Sequence, residues 1–426
     1  MPHRPYNSKM NITVSPSDIS GSIEAPPSKS LTQRAIVAGL LAGGSTVIKN
    51  PSYCNDSVAA MGMSGELGAS VNAEPDRVTI QAGQKPAGHV NLNCSESGLA
   101  LRMFAPVAAL VSDSVTLTGE GSLLRRPVTM IGQALGQLGV EVRTTEGMLP
   151  VTLSGRLRAG RAFIDGSGGS QLLTGLLMAL PVAEGDSRID VAGLTSKPYI
   201  GLTLGLLAGF GITVENDDFR SFIIPGNQAY KAHEYTVEGD WSGAAFLLVA
   251  GATAGRVTVD GLSPHSVQAD RAILQALDEA GAALVTGPCG ITASSVSGLR
   301  AFSIDATDSP DLFPPLAALA ACCEGTSRIR GVGRLRHKES DRAEAIAGVL
   351  EAMKISVQIS GDEMLVTGGR THGAVVSSHN DHRIAMMAAV MASRATGPVT
   401  VTGAEAIAKS YPGFYNDMTR LGAVLY

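Results

Sequence analysis

The hydrophobic pattern of this chain repeats. Six times, apolar residues spaced as on one face of a helix lead to a junction, usually a glycine, and a strand of alternating polarity follows. A glycine at that place suits the left-handed residue with which many helices end. The six junctions are GELGASV (65–71), GQLGVEV (136–142), AGFGITV (208–214), EAGAALV (279–285), EAMKISV (351–357, with Lys354 where the others have glycine) and TRLGAVLY (419–426).

A second series of strands runs in phase with the first. Each leads into a glycine turn, as in SVTLTG (114–119) and RVTVDG (256–261). One unit therefore reads βαβαββ over about 70 residues, which is longer than the 20–50 residues typical of solenoid repeats. The regularity of the steps also argues against an ordinary alternating α/β protein that merely mimics a period.

This pattern predicts an α/β (α+β) fold of two domains, each built from three βαβαββ repeats, with a ligand cleft between them. Residues 27–238 form an inserted domain. Residues 1–26 join residues 239–426 in a second domain, which contains both termini. The last repeat stops after its first closing strand, so we expect the strand at 11–14 to supply the missing one.

Composition narrows the classes of function. Of the 426 residues, 44% are hydrophobic and only 4% are aromatic, and the formal net charge is −5. Nucleic acids and membrane surfaces are bound through a broad positive field, so both are disfavoured as partners. Small anionic ligands are still allowed, because they need only a local cluster of cations.

The cysteines and the chain start indicate a cytoplasmic protein. No CxxC pair occurs, which disfavours zinc and a disulfide framework and indicates reduced thiols. The start MPHRPYNSKMNITV has no apolar core of a secretory signal, and no apolar stretch is long enough to span a bilayer. The five cysteines are Cys54, Cys94, Cys289, Cys322 and Cys323.

Two cationic clusters in the first half are candidates for anion binding. In PPSKSLTQR (26–34), Ser28 can cap a helix whose free N–H groups and Lys29 face an anion. Taken alone, such a segment is more often a structural cap. In Arg125-Arg126-Pro127, an arginine before proline is held extended and can grip a carboxylate with two bonds. A solvated arginine pair is an equal alternative there.

Further polar clusters open predicted helices at the same phase of the repeat. A solvated helix start would explain any one of them, but not why each recurs at that phase. We therefore expect them to converge on one ligand site. These clusters are 165–171 (DGSGGSQ), 196–199 (SKPY), 308–311 (DSPD), 334–342 (RLRHKESDR), 380–383 (NDHR) and 409–412 (KSYP).

The chain resembles the 5-enolpyruvylshikimate-3-phosphate synthase family. The motifs PSKS-LTQR, RRP, SGGSQ, SKPY, SPD, HKESDR, NDHR and AKSYP occur in the family's order, over about residues 12–426. The resemblance implies two domains, each with threefold pseudo-symmetry and an inverse α/β barrel-like arrangement. It also implies transfer of the enolpyruvyl group of phosphoenolpyruvate to the 5-hydroxyl of shikimate-3-phosphate, with no metal or organic cofactor. We expect a monomer with these small-molecule partners alone.

The resemblance also implies roles for individual residues. In the implied addition–elimination, Asp311 is the base at the hydroxyl, and Glu339 is the acid and later the base at C3, with Lys29 assisting. Shikimate-3-phosphate would be held by Lys29, Ser30, Arg34, Gly169, Ser170, Gln171, Ser196, Tyr199, Asp311, Arg334 and Lys338. Phosphoenolpyruvate would be held by Lys29, Gly98, Arg126, Gln171, Arg342, Arg383 and Lys409.

Some positions depart from the family pattern. The loop that usually reads NAGTAMR is here ESGLALR, so Glu96 and Leu99 replace an asparagine and a threonine. Gly169 stands in place of a serine, and Arg334 in place of an asparagine. The sequence leaves open whether the Glu96 carboxylate points toward a ligand or away from it.

Two other functions compete with this interpretation. The enolpyruvyl transferase that acts on a UDP-sugar shares the fold and the Arg-Pro loop, but it usually has a cysteine in that loop and Lys-Asn near the start. Here residues 119–127 contain no cysteine, and residue 30 is serine. A catalytically inactive binding protein built from the same repeats is the second alternative. The presence of both Asp311 and Glu339 argues against it.

Overall fold

The computed structural model describes residues 10–287, 290–336 and 338–426. Residues 1–9, Pro288, Cys289 and His337 are outside those ranges, and so are the expectations that concern them. The chain divides into two compact units. The terminal unit comprises Met1–Pro26 and Gly239–Tyr426, and the inserted unit comprises Pro27–Glu238.

Short strands make up the sheets of both units. In chain order they are β1 (Asn11–Ser15), β2 (Ile19–Glu24), β3 (Ala42–Gly43), β4 (Ser45–Lys49), β5 (Ser70–Glu74), β6 (Arg77–Gln81), β7 (Val90–Asn93), β8 (Ser114–Thr118), β9 (Glu141–Thr145), β10 (Met148–Ser154), β11 (Arg161–Asp165), β12 (Ser187–Ala192), β13 (Glu215–Asp217), β14 (Ser221–Ile224), β15 (Tyr230–Lys231), β16 (Glu234–Thr236), β17 (Gly255–Asp260), β18 (Ala283–Thr286), β19 (Gly290–Ser294), β20 (Ser303–Asp305), β21 (Thr326–Arg330), β22 (Ser356–Ser360), β23 (Glu363–Thr367), β24 (Ala374–Ser377), β25 (Val399–Thr402) and β26 (Val424–Leu425).

Helices alternate with these strands. They are α1 (Lys29–Leu41), α2 (Asn55–Glu66), α3 (Gly98–Val111), α4 (Thr129–Gly136), α5 (Gln171–Ala179), α6 (Lys197–Gly209), α7 (Trp241–Ala254), α8 (Ile273–Glu279), α9 (Phe313–Ala321), α10 (Arg342–Ala352), α11 (His382–Ala392) and α12 (Phe414–Arg420). Short 3-10 turns include Gly121–Arg125, Ala269–Ala272, Pro310–Leu312 and Ala404–Lys409.

Every four-stranded sheet in the described part of the chain has the same topology. Two parallel strands are followed by two antiparallel ones, and the last two form a hairpin in five of the six sheets. The inserted unit has the orders β16-β4-β6-β5, β7-β8-β10-β9 and β11-β12-β14-β13, and the terminal unit has β2-β17-β19-β18, β20-β21-β23-β22 and β24-β25-β1-β26. The α/β class and the βαβαββ unit expected from the hydrophobic pattern are confirmed.

The sixth sheet is completed by the first strand of the chain. β1 pairs antiparallel with β25, from Asn11 against Thr402 to Val14 against Val399, and with β26 on its other side. It occupies the place that the second strand of a closing hairpin fills in the other sheets. The inserted unit begins its first sheet in a related way, since β16 lies parallel to β4.

The first helix of each repeat lies in the core of its unit. All fourteen residues of α7 are buried, as are all eleven of α11. A helix that is apolar on every side needs such surroundings. In the inserted unit α3 and α5 pack so closely that a Cβ on Gly175 would lie 2.5 Å from the Met103 carbonyl oxygen. The packing of these helices therefore places each helix start at one end of its sheet.

The helix-ending glycines behave as the pattern indicates. Gly68, Gly139 and Gly211 have φ between +79° and +97°, a region that residues with a Cβ rarely adopt. Lys354 takes the same place in the fifth repeat and has φ +65°. The repeat therefore imposes a left-handed residue even where the sequence supplies a lysine.

Replacing Lys354 with glycine is expected to stabilise the terminal unit by about 0.5–1 kcal/mol. The left-handed conformation costs a non-glycine residue about 1–2 kcal/mol, and the extra freedom of glycine in the unfolded chain returns about half of that. Urea unfolding followed by the fluorescence of Trp241 measures this, because the single tryptophan is fully buried in the terminal unit. Lys354→Ala keeps the strain and is the control. Equal midpoints for the two variants would contradict the prediction.

Candidate functional site

The predicted site residues lie where a strand passes into a helix. Ser28 caps α1 by accepting the N–H of Leu31, so Lys29 and Ser30 stand in the first turn of that helix. The Lys29 ammonium lies 3.0 Å from the Asp56 carboxylate at the start of α2, and both side chains are largely buried. Asp56 was not predicted. Its place at the second helix start of the first repeat is the one sequence signal for it.

The Arg34 guanidinium forms several hydrogen bonds within the inserted unit. It donates to the Ser30 carbonyl (2.9 Å), to the Thr203 hydroxyl (3.0 Å) and to the Tyr199 carbonyl (3.4 Å). Burial lowers the pKa of this arginine to about 10. Arg34 thus joins the starts of α1 and α6 and orients Ser30 and Tyr199. Its assignment as a ligand contact stays a prediction.

Two arginines meet over Gly98, the first residue of α3. A Cβ at this position would lie 2.6 Å from Nη1 of Arg126 and 2.9 Å from Nη1 of Arg102, so any larger residue would have to displace these guanidinium groups. Arg102 also donates to Oε1 of Gln171 at 3.3 Å and to the Pro127 carbonyl at 3.2 Å. Gly98, Arg126 and Gln171, three of the predicted site residues, therefore lie close together in the inserted unit. The structure adds Arg102, which the sequence analysis missed although it ends the ESGLALR loop.

Small polar residues open α5 and α6 next to each other. Ser170 and Ser196 are buried at the two N-caps, and Ser196 has φ +59°. The Thr195 hydroxyl donates to the Gly166 and Ser167 carbonyls at 3.3 Å, which joins the two loops. Gly169 has φ +125°, a conformation that a serine would rarely adopt. Its departure from the family pattern thus has a backbone reason.

Arg342 is the centre of the terminal unit's cluster. It is the first residue of α10 and has no exposed side-chain surface. Its guanidinium donates to Asp381 (2.9 Å), to Asp311 (2.7 Å) and to Glu339 (2.6 Å). Burial alone would lower the pKa of Arg342, but the three carboxylates reverse this and raise it above its usual range.

Asp311 is held between two guanidinium groups. Its second oxygen accepts from Nη2 of Arg383 at 2.9 Å, and Arg383 itself follows Asp381, the N-cap of α11. Lys409, at the end of a 3-10 turn, donates to the Asn380 carbonyl at 2.7 Å. Four of the predicted residues (Asp311, Glu339, Arg342, Arg383) thus form one hydrogen-bonded network, and Lys409 reaches the segment that begins α11.

Lys338 adds a titratable ammonium to this network. Its Nζ lies 3.9 Å from Oδ1 of Asp311. Burial lowers the pKa of Lys338 to about 8, and the attraction of Asp311 offsets only part of the shift. Arg334, the other predicted residue of this segment, is half-buried, and burial lowers its pKa as well. At neutral pH both side chains are cationic.

Asp270 is a further buried carboxylate that the sequence analysis missed. It lies in the 3-10 turn before α8 and accepts a hydrogen bond from the Ser242 hydroxyl at the start of α7. Burial, with repulsion from Asp311, raises the pKa of Asp270 to about 7. Nothing in its sequence context, VQADR, distinguishes it from an ordinary helix-start aspartate.

The two sets of residues suit small anions carrying carboxylate or phosphate groups. Guanidinium and ammonium donors stand beside helix N-termini, where the free N–H groups also favour negative charge. Among residues 10–287, 290–336 and 338–426, no group of three metal-ligating side chains could hold a metal ion. Within the same ranges, no helix combines the length and hydrophobicity needed to cross a membrane.

Lys338 is expected to titrate near pH 8, far below an ordinary lysine. Reductive methylation with ¹³C-formaldehyde followed by NMR should show one dimethyl-lysine resonance that shifts around that pH. The resonance should disappear in Lys338→Arg. In Asp311→Asn its midpoint should fall, because the carboxylate stabilises the charged amine. Absence of any lysine resonance that titrates below about pH 9 would contradict the assignment.

Comparisons with known proteins agree with the motifs. A family model described as EPSP synthase (3-phosphoshikimate 1-carboxyvinyltransferase) matches residues 14–418. The chain is 38% identical over 420 residues to the 3-phosphoshikimate 1-carboxyvinyltransferase of Methanocorpusculum labreanum, which covers 97% of this chain and 99% of the relative. It is 38% identical over 412 residues to that of Aeropyrum pernix, covering 97% and 96%.

A solved structure gives the same result for the fold. The EPSP synthase of Acinetobacter baumannii aligns with a TM-score of 0.84 at 25% sequence identity, over 98% of this chain and 99% of that one. The family model, the curated relatives and the solved structure thus agree over nearly the full length. The resemblance indicated by the ordered motifs is confirmed, and the chain belongs to the EPSP synthase (3-phosphoshikimate 1-carboxyvinyltransferase) family.

Proposed function

We propose that this protein transfers the enolpyruvyl group of phosphoenolpyruvate to the 5-hydroxyl of shikimate-3-phosphate and releases phosphate. Family membership over residues 14–418 supports the reaction class. The observation that carries the mechanism is the Arg342 network, because one guanidinium there contacts both Asp311 and Glu339. Two carboxylates and two arginines in one cluster supply proton transfer and anion binding together.

The reaction is an addition followed by an elimination. The 5-hydroxyl oxygen attacks C2 of phosphoenolpyruvate and loses its proton, while C3 gains a proton, giving a tetrahedral ketal. Phosphate then leaves C2 and a C3 proton is removed, which restores the double bond as an enol ether. One base is therefore needed at the hydroxyl, and one group at C3 must first give and later take a proton.

Asp311 is proposed as the base at the hydroxyl. Both of its oxygens accept guanidinium N–H groups in this structure, which stabilises the carboxylate, so release of one of these contacts would make it a stronger base. Phosphoenolpyruvate provides that release, because its carboxylate and phosphate compete for Arg342 and Arg383. Binding of one substrate would thus prepare the base for the other.

Glu339 is proposed as the group that protonates and later deprotonates C3. It lies three residues before Arg342 and shares that guanidinium with Asp311. Lys338 would neutralise charge on the reacting side of the shikimate, and Lys409 would hold phosphoenolpyruvate. Arg334 replaces the asparagine usual at its position and is assigned to the shikimate.

The inserted unit would bind the remaining parts of the two substrates. Lys29 would assist catalysis and touch both, and Arg126 over Gly98 would grip phosphoenolpyruvate. Gln171 would serve both ligands, and Arg102 joins this set because it contacts Gln171. The phosphate and hydroxyls of the shikimate are assigned to Ser30, Arg34, Gly169, Ser170, Gln171, Ser196 and Tyr199.

A cytoplasmic location is part of the proposal. The cysteines in the described residues (Cys54, Cys94, Cys322 and Cys323) are free, which fits a reducing compartment. The monomeric state, the exclusion of nucleic-acid and membrane partners, and the absence of a metal or organic cofactor stay predictions from the sequence.

The substrate assignment is tested by phosphate release. Phosphoenolpyruvate with shikimate-3-phosphate should give phosphate and the enol ether in equal amounts, detectable by a coupled assay and mass spectrometry. UDP-N-acetylglucosamine as acceptor should give none, because the loop 119–127 and residue 30 lack the features of that enzyme. Release with the UDP-sugar alone would replace the proposal, and release with neither acceptor would leave an inactive binding protein.

Removing the charge of Asp311 and of Glu339 is expected to impair different steps of the reaction. Asp311→Asn should lower turnover roughly 10²-fold or more while shikimate-3-phosphate still binds. Glu339→Gln should chiefly slow incorporation of deuterium from D₂O into the C3 methylene, measured by mass spectrometry. Glu344→Gln, at an exposed acid on the same helix α10, is the matched control. Near-normal turnover in either active-site variant would refute its assigned role.

A further inference from the structure

The loop that precedes α3 is tied to the turn that precedes Arg126. The Glu120 N–H donates to the Ser95 carbonyl at 2.7 Å, and the Ser122 N–H donates to Oε2 of Glu96 at 2.8 Å. Ser122 belongs to the 3-10 turn Gly121–Arg125, and Arg126 follows that turn directly. The carboxylate whose direction the sequence left open therefore points at the backbone of this turn.

Gly121 shows how closely the carboxylate lies against the turn. The residue has φ +53°, and a Cβ built on it would overlap both Oε2 and Cδ of Glu96. A glycine is thus favoured for two reasons, because a larger residue would have to adopt a left-handed backbone and displace the Glu96 carboxylate. An N–H that donates to a carboxylate forms a hydrogen bond about twice as strong as one to a neutral oxygen.

Arg126 is bracketed by two contacts from the start of α3. Upstream, Glu96 holds Ser122, and downstream, Arg102 donates to the carbonyl of Pro127 at 3.2 Å. The Arg126 side chain is largely buried, and within the described residues its Nε makes no hydrogen bond. The place of this guanidinium over Gly98 is therefore set mainly by the backbone that carries it.

We infer that Glu96 is a positioning residue for Arg126. By holding the 3-10 turn at Ser122, it fixes the guanidinium over Gly98, where the proposed function needs it for phosphoenolpyruvate. The inference rests on that proposed function. It concerns the affinity for one substrate only, because the contacts assigned to the shikimate lie on other segments.

A contrary role for Glu96 would be to repel anionic ligands. The two roles predict opposite changes in the KM for phosphoenolpyruvate when Glu96 is replaced. If the carboxylate repels phosphoenolpyruvate, removing its charge lowers the KM for that substrate, and Ala and Gln act alike. If it holds the turn, Glu96→Ala raises the KM, whereas Glu96→Gln keeps an acceptor for the Ser122 N–H and stays close to the native value.

Steady-state kinetics of the full chain distinguish these outcomes. Glu96→Ala is expected to raise the KM for phosphoenolpyruvate about tenfold, the effect of losing one charge-assisted hydrogen bond. The KM for shikimate-3-phosphate should stay within about twofold, and Glu96→Gln should restore both values. Glu66→Ala removes an exposed carboxylate at the end of α2 in the same unit and is the matched control. An unchanged or lowered KM for phosphoenolpyruvate, or equal rises for both substrates, would overturn the inference.

A double-mutant cycle and hydrogen exchange test the contact itself. Gly121→Ala should displace the Glu96 carboxylate, so its effect on the KM should largely vanish when Glu96 is already alanine. Amide exchange of the peptide 119–126 should quicken in Glu96→Ala and not in Glu96→Gln. Additive effects or unchanged exchange would overturn the inference. Because exchange needs no substrate, it separates failure of this contact from failure of the proposed reaction, which would show as an inactive native protein.

Discussion

The chemistry of the terminal unit depends on one buried cation. Arg342 has no exposed side-chain surface and donates to three carboxylates at 2.6–2.9 Å. Removing a charge from water costs several kcal/mol per ion, and only good geometry with every donor used offsets that cost. An apolar cluster of the same volume would stabilise a core as well. The buried network is therefore better explained by a positioning role. Arg342 fixes the positions of Asp311, Glu339 and Asp381, the N-cap of α11.

The repeat explains why such different residues share similar surroundings. Each unit brings several strand-to-helix junctions to equivalent places, and each junction offers free N–H groups and a short loop. Lys29, Gly98 and Ser170 stand at the starts of the first helices in the inserted unit, and Asp311 and Arg383 stand at equivalent places in the terminal unit. The fold thus provides equivalent positions, and the sequence fills them with different chemistry.

Much of this was readable from the chain, because local signals determine it. The glycine junctions gave the period, and the unpaired last strand indicated that the first strand had to complete the final sheet. Lys354 departs from the glycine pattern, yet its backbone adopts the same left-handed conformation, because the fold of the repeat imposes it there. The ordered motifs named most candidate residues, since those residues follow recognisable helix starts.

The rest was not readable, because it depends on long-range contacts. Asp56, Arg102 and Asp270 look like ordinary charged residues in sequence. Only the fold brings Asp56 to Lys29, 27 positions away, and Arg102 to Gln171, 69 positions away. The internal bonds of Arg34 were invisible for the same reason. The direction of Glu96 depended on the backbone of a turn that sequence patterns do not describe.

The position of β1 has a consequence for synthesis on the ribosome. The inserted unit is complete once residue 238 has emerged, so its core can form while translation continues. β1, made first, must wait for β25 and β26, which lie in the last 28 residues of the chain. At about 5–20 residues per second, the roughly 390 residues that separate the starts of β1 and β25 take on the order of 20–80 s to synthesise. During that time β1, with Val14 on its buried face, has no partner strand, so the sixth sheet is the last to be completed.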